Sequence, residues 1–387
     1  MGEQPAMGAL RYLAASVPPR MAGAGSTVAL PILAVQQMGD VAVGGLLVAA
    51  SMGPSVLAAP LAGAVLDSTR RPGVWVASAC LVTAAAFAAT ALVGSIPLAA
   101  VFVVLALAGA ASPFYMGGFS SFVAGAVPDI RRAFAVDALS YNMSAVAGPA
   151  VVALIAVFLP AQASLAVLAV SAALGPLALR GLALRPHGRA QGSLWQAVKA
   201  GLHRIFSYRP LAVVTASSTF TQLGQGGLAI AAVALSIERA GSPGEGAAVV
   251  TAFAVGSLLG ALVETARPAR GRPHVVMAVG FLATGLLTAA AAIDLGTTWT
   301  LAAIGLSGLF TASTSAAMLF LRNLHSPPHL KSQIFTVTAG FRVSASAAGA
   351  ALAGTATGWG GGATIAAVGV VWVLSAALMA AYPGRDG

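Results

Sequence analysis

Long runs of apolar residues dominate this chain, and its polar positions gather in the short segments between them. A helix crosses the hydrocarbon of a membrane with about 20 apolar residues, since each residue adds about 1.5 Å. None of the runs alternates strictly, as a barrel strand would. The pattern therefore predicts twelve spanning helices, at residues 9–37, 41–66, 74–94, 97–126, 133–158, 161–181, 209–236, 246–264, 275–293, 298–321, 333–356 and 362–382.

Composition and charge placement support a membrane protein. Only 8% of the 387 residues are charged, against about 25% in soluble domains. The net charge of +10 first suggests nucleic acid. With a cytoplasmic N-terminus, however, all of the 20 Lys and Arg residues except Arg20, Arg239 and Arg342 fall at cytoplasmic ends and loops. This is the positive-inside pattern. It predicts a multi-pass membrane protein with both termini in the cytoplasm, lipid as its surroundings and no nucleic-acid partner.

The chain repeats itself at an offset of about half its length. Residues 63–70 recur at 260–267, residues 71–74 at 272–275, and Gly148 corresponds to Gly349. The repeat predicts two pseudo-symmetric six-helix bundles, an architecture that places a substrate site between parallel repeats near the membrane midplane. We expect an N-terminal bundle at residues 1–182, a cytoplasmic linker at 183–208 and a C-terminal bundle at 209–387.

The linker contains an amphipathic segment. Pro186 and Gly188 break the preceding helix, and Ser193 is suited to cap a new one. A helix from there has one apolar face, comprising Leu194, Trp195, Val198, Leu202, Ile205 and Phe206. We expect it to lie at the membrane interface as a structural strap, with partner binding as the alternative.

Three ionisable residues fall inside predicted spans, where each costs at least about 2.5–3.5 kcal/mol and is a functional candidate. Arg20 in the first span and Asp137 in the fifth enter from the same side to overlapping depths. We predict that they pair and that Asp137 takes up a proton when a conformational change during transport separates them, since burial disfavours its charge and a nearby arginine favours it. A static ion pair is the alternative. Arg342 has three possible roles: it contacts an anionic substrate, it pairs with Asp137, or it donates hydrogen bonds to backbone carbonyls.

Uncharged polar residues inside spans are further candidates for a substrate cavity, with interhelical hydrogen bonding as the alternative. They are Tyr115, Tyr141, Asn142, Gln222 and Gln225. The single cysteine, Cys80, allows neither an intramolecular disulfide nor a Cys-based zinc site. No Walker loop, GxSxG or HExxH motif is present, so we expect no enzyme activity, no metal and no cofactor.

Two motifs resemble the major facilitator superfamily. The loop after the second span follows the family pattern G-x-x-x-D-[RK]-x-G-[RK]-[RK] at Gly63, Asp67 and Arg71, with Ser68, Arg70 and Pro72 as departures. In the fifth span, Gly148-Pro149 is similar to the antiporter motif. The segment from Pro128 to Pro149 resembles drug-efflux members. Alanine richness and the predominance of arginine over lysine favour a bacterial source such as an actinomycete.

The first motif also has a physical interpretation, a cytoplasmic latch. The Asp67 carboxylate is expected to face the N-terminus of the eleventh span, near Ser332 and Gln333, where the helix dipole favours an anion. Arg71 would pair with Asp129. The full candidate set for this latch is Gly63, Asp67, Arg70, Arg71 and Asp129, with Glu264 and Arg267 as the mirror of the motif in the second half.

The resemblance implies a secondary transporter that works by alternating access. We expect proton-coupled efflux of small amphiphilic organic compounds, driven by the proton gradient with no cofactor, by a monomer. Two alternatives stay open, a proton-coupled importer and a scaffold or sensor that does not transport. Asn142, where related transporters have an acid, and an uncharged fourth span leave the driving ion less defined than the fold.

Overall fold

The computed structural model describes residues 3–38, 41–179, 182, 184, 194–240 and 244–383. Arg180, Arg185, Arg189, Arg385 and nearly all of the predicted linker before residue 194 lie outside these ranges. The described residues form thirteen α-helices and no strand. The helices are α1 Glu3–Met38, α2 Val41–Ser68, α3 Pro72–Ala91, α4 Leu98–Ala126, α5 Ile130–Phe158, α6 Ala161–Leu179, α7 Leu194–Ser207, α8 Arg209–Ala240, α9 Gly244–Ala266, α10 Pro273–Ala290, α11 Thr297–His325, α12 Lys331–Ala356 and α13 Gly361–Leu378. Short 3-10 turns lie at Pro328–Leu330, Thr357–Trp359 and Met379–Ala381.

Each predicted span corresponds to one helix, and α7 is the additional amphipathic helix of the linker. Ten of the described helices are long and apolar enough to cross a membrane. The other two predicted spans, α1 and α12, are helices of 36 and 26 residues. Arg20 and three prolines lower the apolar character of α1, and Arg342 with several serines and threonines lowers that of α12. The protein is an all-α membrane protein.

The linker helix α7 does not bury all of its predicted apolar face. Val198 and Ile205 are buried, and Val198 packs in a cluster with Ala64 of α2. Trp195 and Phe206 are 63% and 65% exposed. Only the centre of an apolar helix face points at the neighbouring helix, so side chains at the two edges of that face stay exposed.

The chain divides into two compact units. Unit 1 comprises Met1–Leu202 and Pro327–Gly340, and unit 2 comprises His203–Ser326 and Phe341–Gly387. The first ten residues of α12 therefore belong to unit 1 and the rest of that helix to unit 2.

Each unit has its own apolar core. In unit 1, leucines of α1, α4 and α6 form the centre, including Leu33, Leu105 and Leu165. In unit 2, the core includes Phe253 and Trp372, whose rings stack with centroids 5.9 Å apart. Alanines fill much of both cores, so the helices approach closely without large side chains between them.

The sequence repeat has a structural counterpart in two glycine crossings. In unit 1, a Cβ on Gly148 of α5 would lie 2.6 Å from the Gly25 nitrogen of α1. In unit 2, a Cβ on Gly349 of α12 would overlap the Leu223 carbonyl of α8, and a Cβ on Gly226 would overlap the α12 backbone. Gly25 and Gly226 differ by the same 201 positions as Gly148 and Gly349. The same crossing is thus built twice, once in each unit.

Candidate functional site

A buried ion pair joins α1 and α5 inside unit 1. The Nη1 atom of Arg20 lies 2.7 Å from Oδ1 of Asp137, and the two side chains are 1% and 0% exposed. The predicted pairing is therefore present in the structure. The role of the pair in proton coupling stays a prediction.

Arg20 is held by a set of partners from α4 and α5. One terminal nitrogen donates to the Met116 carbonyl at 2.8 Å and to the Ser120 hydroxyl at 3.1 Å. The other donates to Asp137 and to the Ser140 hydroxyl. The guanidinium carbon also lies 3.8 Å from the centroid of the Tyr141 ring, a cation–π geometry. These contacts replace water at the two terminal nitrogens of Arg20, while its buried Nε has no hydrogen-bond partner among the described residues.

Asp137 also accepts a hydrogen bond from a tyrosine. The Tyr12 hydroxyl donates to Oδ1 of Asp137 at 2.5 Å, and Tyr12 is fully buried. Its ring packs edge-on against Phe119 with centroids 6.0 Å apart. We name Tyr12, Arg20, Ser120, Asp137 and Ser140 the Asp137 network.

The second carboxylate oxygen of Asp137 is different. Oδ2 is buried and has no hydrogen-bond partner among the described residues. A buried polar atom without a partner costs about 1–3 kcal/mol, and more when it is charged. A proton on Oδ2 would remove the charge while leaving the Tyr12 and Arg20 contacts of Oδ1 in place. The network therefore contains one oxygen with free capacity to bind a proton.

A second buried carboxylate lies at the end of α2. Asp67 is 1% exposed, and its two oxygens accept from the backbone nitrogens of Ser332 and Gln333, both at 2.8 Å. Ser332 and Gln333 lie in the first turn of α12, where backbone N–H groups lack partners within the helix and the helix dipole favours a negative charge. Gly63, one turn earlier, makes room for this contact, because a Cβ there would overlap the Gln333 backbone. The contact expected for Asp67 is thus present.

The rest of the predicted latch is arranged otherwise. Arg70 and Arg71 are exposed. Asp129 is the N-cap of α5 and accepts from the Arg132 nitrogen at 2.9 Å. No ion pair between Arg71 and Asp129 is present among the described residues, so that expectation was wrong. An aspartate directly before a helix is drawn to the free N–H groups of that helix, which are closer than any loop arginine.

The corresponding residues of the second half form a local contact. Glu264 is buried at the end of α9, and its Oε1 accepts from the Ala269 nitrogen at 3.0 Å. Arg267 is exposed, and its backbone nitrogen extends the helix by donating to the Val263 carbonyl. Glu264 therefore stabilises the turn that follows its own helix.

No family model matches the sequence, and no curated protein matches it. Solved structures match over nearly the whole chain. The human organic anion transporter MFSD10 has 15% sequence identity and a TM-score of 0.76, over 96% of this chain and 99% of that chain. The proton:xylose symporter XylE of the major facilitator superfamily has 11% identity and a TM-score of 0.71, over 98% and 97%. A bacterial homologue of the iron transporter ferroportin, in an outward-facing state, has 14% identity and a TM-score of 0.76, over 98% and 100%.

The fold is that of the major facilitator superfamily. In this facilitator fold α7 is the linker helix, and the other twelve helices are the spans that the apolar runs predict. Among the described residues, no group of three His, Cys, Asp or Glu side chains is placed to hold a metal ion.

Two predicted cavity residues of the facilitator fold are engaged in internal contacts. Tyr115 is 2% exposed, so it packs inside unit 1 and does not line an open cavity. It points back into the bundle towards Gly23 of α1. The Tyr141 hydroxyl donates to the Met116 carbonyl at 2.8 Å while its ring covers Arg20. Tyr141 thus packs against the Asp137 network.

The other cavity candidates are half-buried. Asn142 donates to the Ala138 carbonyl one turn back in α5, at 2.8 Å. Gln222 and Gln225 of α8 and Arg342 of α12 are also half-buried. A substrate role for all four stays a prediction.

The helix 5 motif is a packing device in this structure. Pro149 lies within α5, and Gly148 lets α5 approach α1. Ser144, one turn earlier, donates to the Val17 carbonyl of α1 at 3.2 Å. The motif therefore fixes the two helices that carry Arg20 and Asp137.

Sequence reasoning missed Tyr12. A tyrosine near the start of a span is typical of an interface anchor, and nothing in the pattern distinguishes it from one. The available signal was its position two helical turns before Arg20. Any side chain in this register lies near the path that the Arg20 side chain takes towards α5.

Proposed function

We propose that this protein is a secondary active transporter that works by alternating access. The support is a facilitator fold matched over nearly the whole chain by transporters of organic anions, of xylose and, in a bacterial homologue, of the ferroportin type. The two units would be the two bundles of such a transporter, in a bacterial inner membrane with both termini in the cytoplasm.

The observation that carries a coupling proposal is the Asp137 network. A fully buried ion pair inside a spanning bundle is costly, and such residues commonly belong to proton relays. Asp137 adds an oxygen with no partner. We infer that Asp137 alternates between a charged form, stabilised by Arg20 and Tyr12, and a protonated form.

Protonation in place fits this site better than separation of the pair. The crossing of α1 and α5 at Gly148, about three helical turns beyond Asp137, leaves no room for a Cβ, so the two helices pack closely there. A proton that arrives at Oδ2 weakens the attraction for Arg20 without moving either helix. Arg20 keeps its hydrogen bonds to Met116 and Ser120 on α4, while its attraction to the neutral carboxyl group is weaker.

The direction that we propose is efflux of small amphiphilic organic compounds. It rests on the resemblance of Gly148-Pro149 to the antiporter motif and on the apolar character of the spans. Proton-coupled import is the second candidate, because XylE is a proton symporter with the same fold. Asp67 would act as a latch whose release frees the first turn of α12.

Transport in proteoliposomes tests these proposals. Purified protein is reconstituted, a pH gradient is imposed, and accumulation of a panel of amphiphilic dyes and small solutes is measured with and without the gradient. We expect gradient-driven flux by the wild type and its loss in Asp137→Asn, which keeps the shape but cannot titrate. Ser16→Ala is the matched control, because Ser16 is equally buried in α1 and donates only to the Tyr12 carbonyl.

Asp137→Asn leaves Arg20 buried without its counter-ion, so a second variant is needed. In Arg20→Gln/Asp137→Asn both charges are absent and the fold is expected to be restored. Full gradient-driven flux by this folded double variant would eliminate the coupling proposal. Absence of flux by the wild type for every member of the panel, with folding intact, would instead favour a scaffold or sensor.

A further inference from the structure

One end of unit 2 gathers several cations around a tyrosine that follows the last helix. The 3-10 turn Met379–Ala381 leads from α13 to Tyr382 and is contacted by α8 and α10. Around it lie side chains that with Tyr382 we name the Tyr382 cluster: Arg204, Tyr208, Arg209, Arg272, His274 and His325. Arg204, Arg209, His274 and His325 belong to α7, α8, α10 and α11, Tyr208 lies between α7 and α8, and Arg272 directly precedes α10.

The centre of the Tyr382 cluster is a rigid stack. Nε2 of His325 lies 2.6 Å from the Tyr382 hydroxyl, and the His274 ring stacks on Tyr382 with centroids 4.8 Å apart and planes 16° apart. On the other side, the Tyr208 ring lies 5.5 Å from His325. The Arg204 guanidinium carbon lies 3.6 Å from the centroid of Tyr208. His325 and Tyr382 are buried, so the stack is a fixed base.

Cations surround this base. Arg209 donates through Nε to the Ala381 carbonyl at 3.2 Å, which places its exposed guanidinium beside Tyr382. Arg272 is exposed, and its charge acts on the ring of His274. Within the described part of unit 2, no ion pair involves Arg204, Arg209, Arg272 or His274. Among the described residues, the cluster is thus a positive site without an ion pair, and it has two exposed arginines, Arg209 and Arg272.

Apolar side chains border the same site. Phe206 precedes Tyr208 and is 65% exposed, Val275 follows His274 and is 45% exposed, and Leu378 ends α13 and is 41% exposed. Both α10 and α13 are long and apolar enough to cross the membrane. The cations therefore lie at the ends of two helices that are apolar enough to span the membrane.

We propose that the Tyr382 cluster binds the phosphate of an anionic phospholipid. Arginine presents several donors that match phosphate oxygens in pairs, and basic pockets between spanning helices suit anionic headgroups. The stack of His274, Tyr382 and His325 holds the site in shape, and the neighbouring apolar side chains accommodate the acyl chains. This inference does not depend on the transported substrate.

A lipid-selective stability measurement tests the proposal. Full-length protein in mild detergent is titrated with phosphatidylglycerol or with phosphatidylcholine of the same acyl chains, and the apparent Kd is taken from the rise in Tm. We expect the wild type to bind phosphatidylglycerol at least tenfold more tightly than phosphatidylcholine. In Arg209→Gln/Arg272→Gln this preference should fall about tenfold.

Arg270→Gln is the matched control, because Arg270 is an exposed arginine of the same loop as Arg272 but lies outside the cluster. An equal loss in Arg270→Gln would show general attraction of positive charge to anionic lipid and would overturn the site. A Tm rise with inorganic phosphate that matches the lipid effect would overturn the assignment to lipid. Tyr382→Phe, which removes only the hydroxyl bonded to His325, should lower the preference less than the double variant.

Discussion

The buried carboxylate of Asp137 shows how far reasoning from sequence reaches at the level of single residues. Helical rise alone predicts that Arg20 and Asp137 lie at overlapping depths, and the structure pairs them. The depth of a residue in the membrane does not show which side of its helix the residue faces or which uncharged side chains lie beside it. Tyr12, Ser120 and Ser140 were therefore not predicted, although they complete the network.

The same limit explains why one predicted ion pair is absent among the described residues and why one predicted cavity residue lies elsewhere. The expected ion pair of Arg71 and Asp129 assumed that loop charges meet across a loop, whereas Asp129 caps its own helix. Tyr115 was assigned to a cavity because it is polar and lies within a span, but it faces the interior of unit 1. Composition identifies polar residues; only packing decides where they point.

The ion pair should contribute to stability mainly through what its loss exposes. Arg20→Gln leaves the Asp137 charge buried with Tyr12 alone, and removing one partner of a buried pair costs about 3–5 kcal/mol. Arg20→Gln/Asp137→Asn leaves no buried charge and should recover most of that loss. Thermal unfolding in detergent, followed by tryptophan fluorescence, measures both. Equal destabilisation by the single and double variants would contradict the buried pair.

Two tyrosines of the site should differ in the strength of their hydrogen bonds. Tyr12→Phe removes a donor to a carboxylate, worth about 1.5–3 kcal/mol, whereas Tyr141→Phe removes a donor to the neutral Met116 carbonyl, worth about 1 kcal/mol. Both variants keep their rings. In the same unfolding assay, the Tm of Tyr12→Phe should be lower than that of Tyr141→Phe, and the reverse order would contradict the stronger hydrogen bond of Tyr12.

At the level of elements, apolar run length predicts most of the fold. The twelve runs match twelve helices, with ends displaced by a few residues, because the hydrocarbon requires both apolar side chains and internally bonded backbone. Prolines do not break this pattern: α1 contains Pro18, Pro19 and Pro31, and α2 contains Pro54 and Pro60. Neighbouring helices compensate for the hydrogen bonds that proline removes. The division of the helices into two bundles, in contrast, had to be inferred from the sequence repeat.

The glycine crossings should tolerate no side chain. Gly148→Ala places a Cβ 2.6 Å from the Gly25 nitrogen, and Gly349→Ala overlaps Leu223. Overpacking of this kind typically costs about 1–3 kcal/mol. Gly53→Ala is the control, because a Cβ at Gly53 in α2 meets no atom within 4 Å, and alanine favours a helix by about 0.5–1 kcal/mol. Lower Tm in the two crossing variants and an unchanged or higher Tm in Gly53→Ala are expected.

The contact of Asp67 with α12 should depend on charge and on both oxygens. Asp67→Asn keeps one acceptor and removes the charge at the helix N-terminus, with an expected cost of about 2 kcal/mol. Asp129→Asn is the comparison, since Asp129 accepts through one oxygen and asparagine is an equally good N-cap, so the cost there should stay below about 0.5 kcal/mol. Similar Tm values for the two variants would argue against a special role of the α12 contact.

At the scale of the whole molecule, the distribution of the basic residues predicts the orientation of the protein in the membrane. Cysteine labelling checks it, and Cys80 is fully buried, so the wild type should give no background. Ser95→Cys lies in an exposed turn predicted outside, and Gly271→Cys in an exposed turn predicted inside. An impermeant maleimide should label the first in intact cells and the second only after permeabilisation. The opposite pattern would invert the topology.

Substrate and direction belong to this scale too, and they were the least predictable from sequence. The repeat and the fold are shared by transporters of unlike compounds, as the three matched structures illustrate. We predict that specificity depends on half-buried side chains inside the spans, namely Asn142, Gln222, Gln225 and Arg342. Their residue types alone do not select one compound.

The membership of α12 in both units has a consequence for biosynthesis. Unit 1 includes Pro327–Gly340, so its set of contacts cannot be complete until more than 120 residues beyond Leu202 have been made. Until then Asp67, on a helix inserted early, has no N–H groups to bind from Ser332 and Gln333. A segment made late in synthesis thus completes the first unit. A ribosome that stalls after residue 202 would release a bundle with an open carboxylate at the end of α2, a defect that membrane quality control could detect.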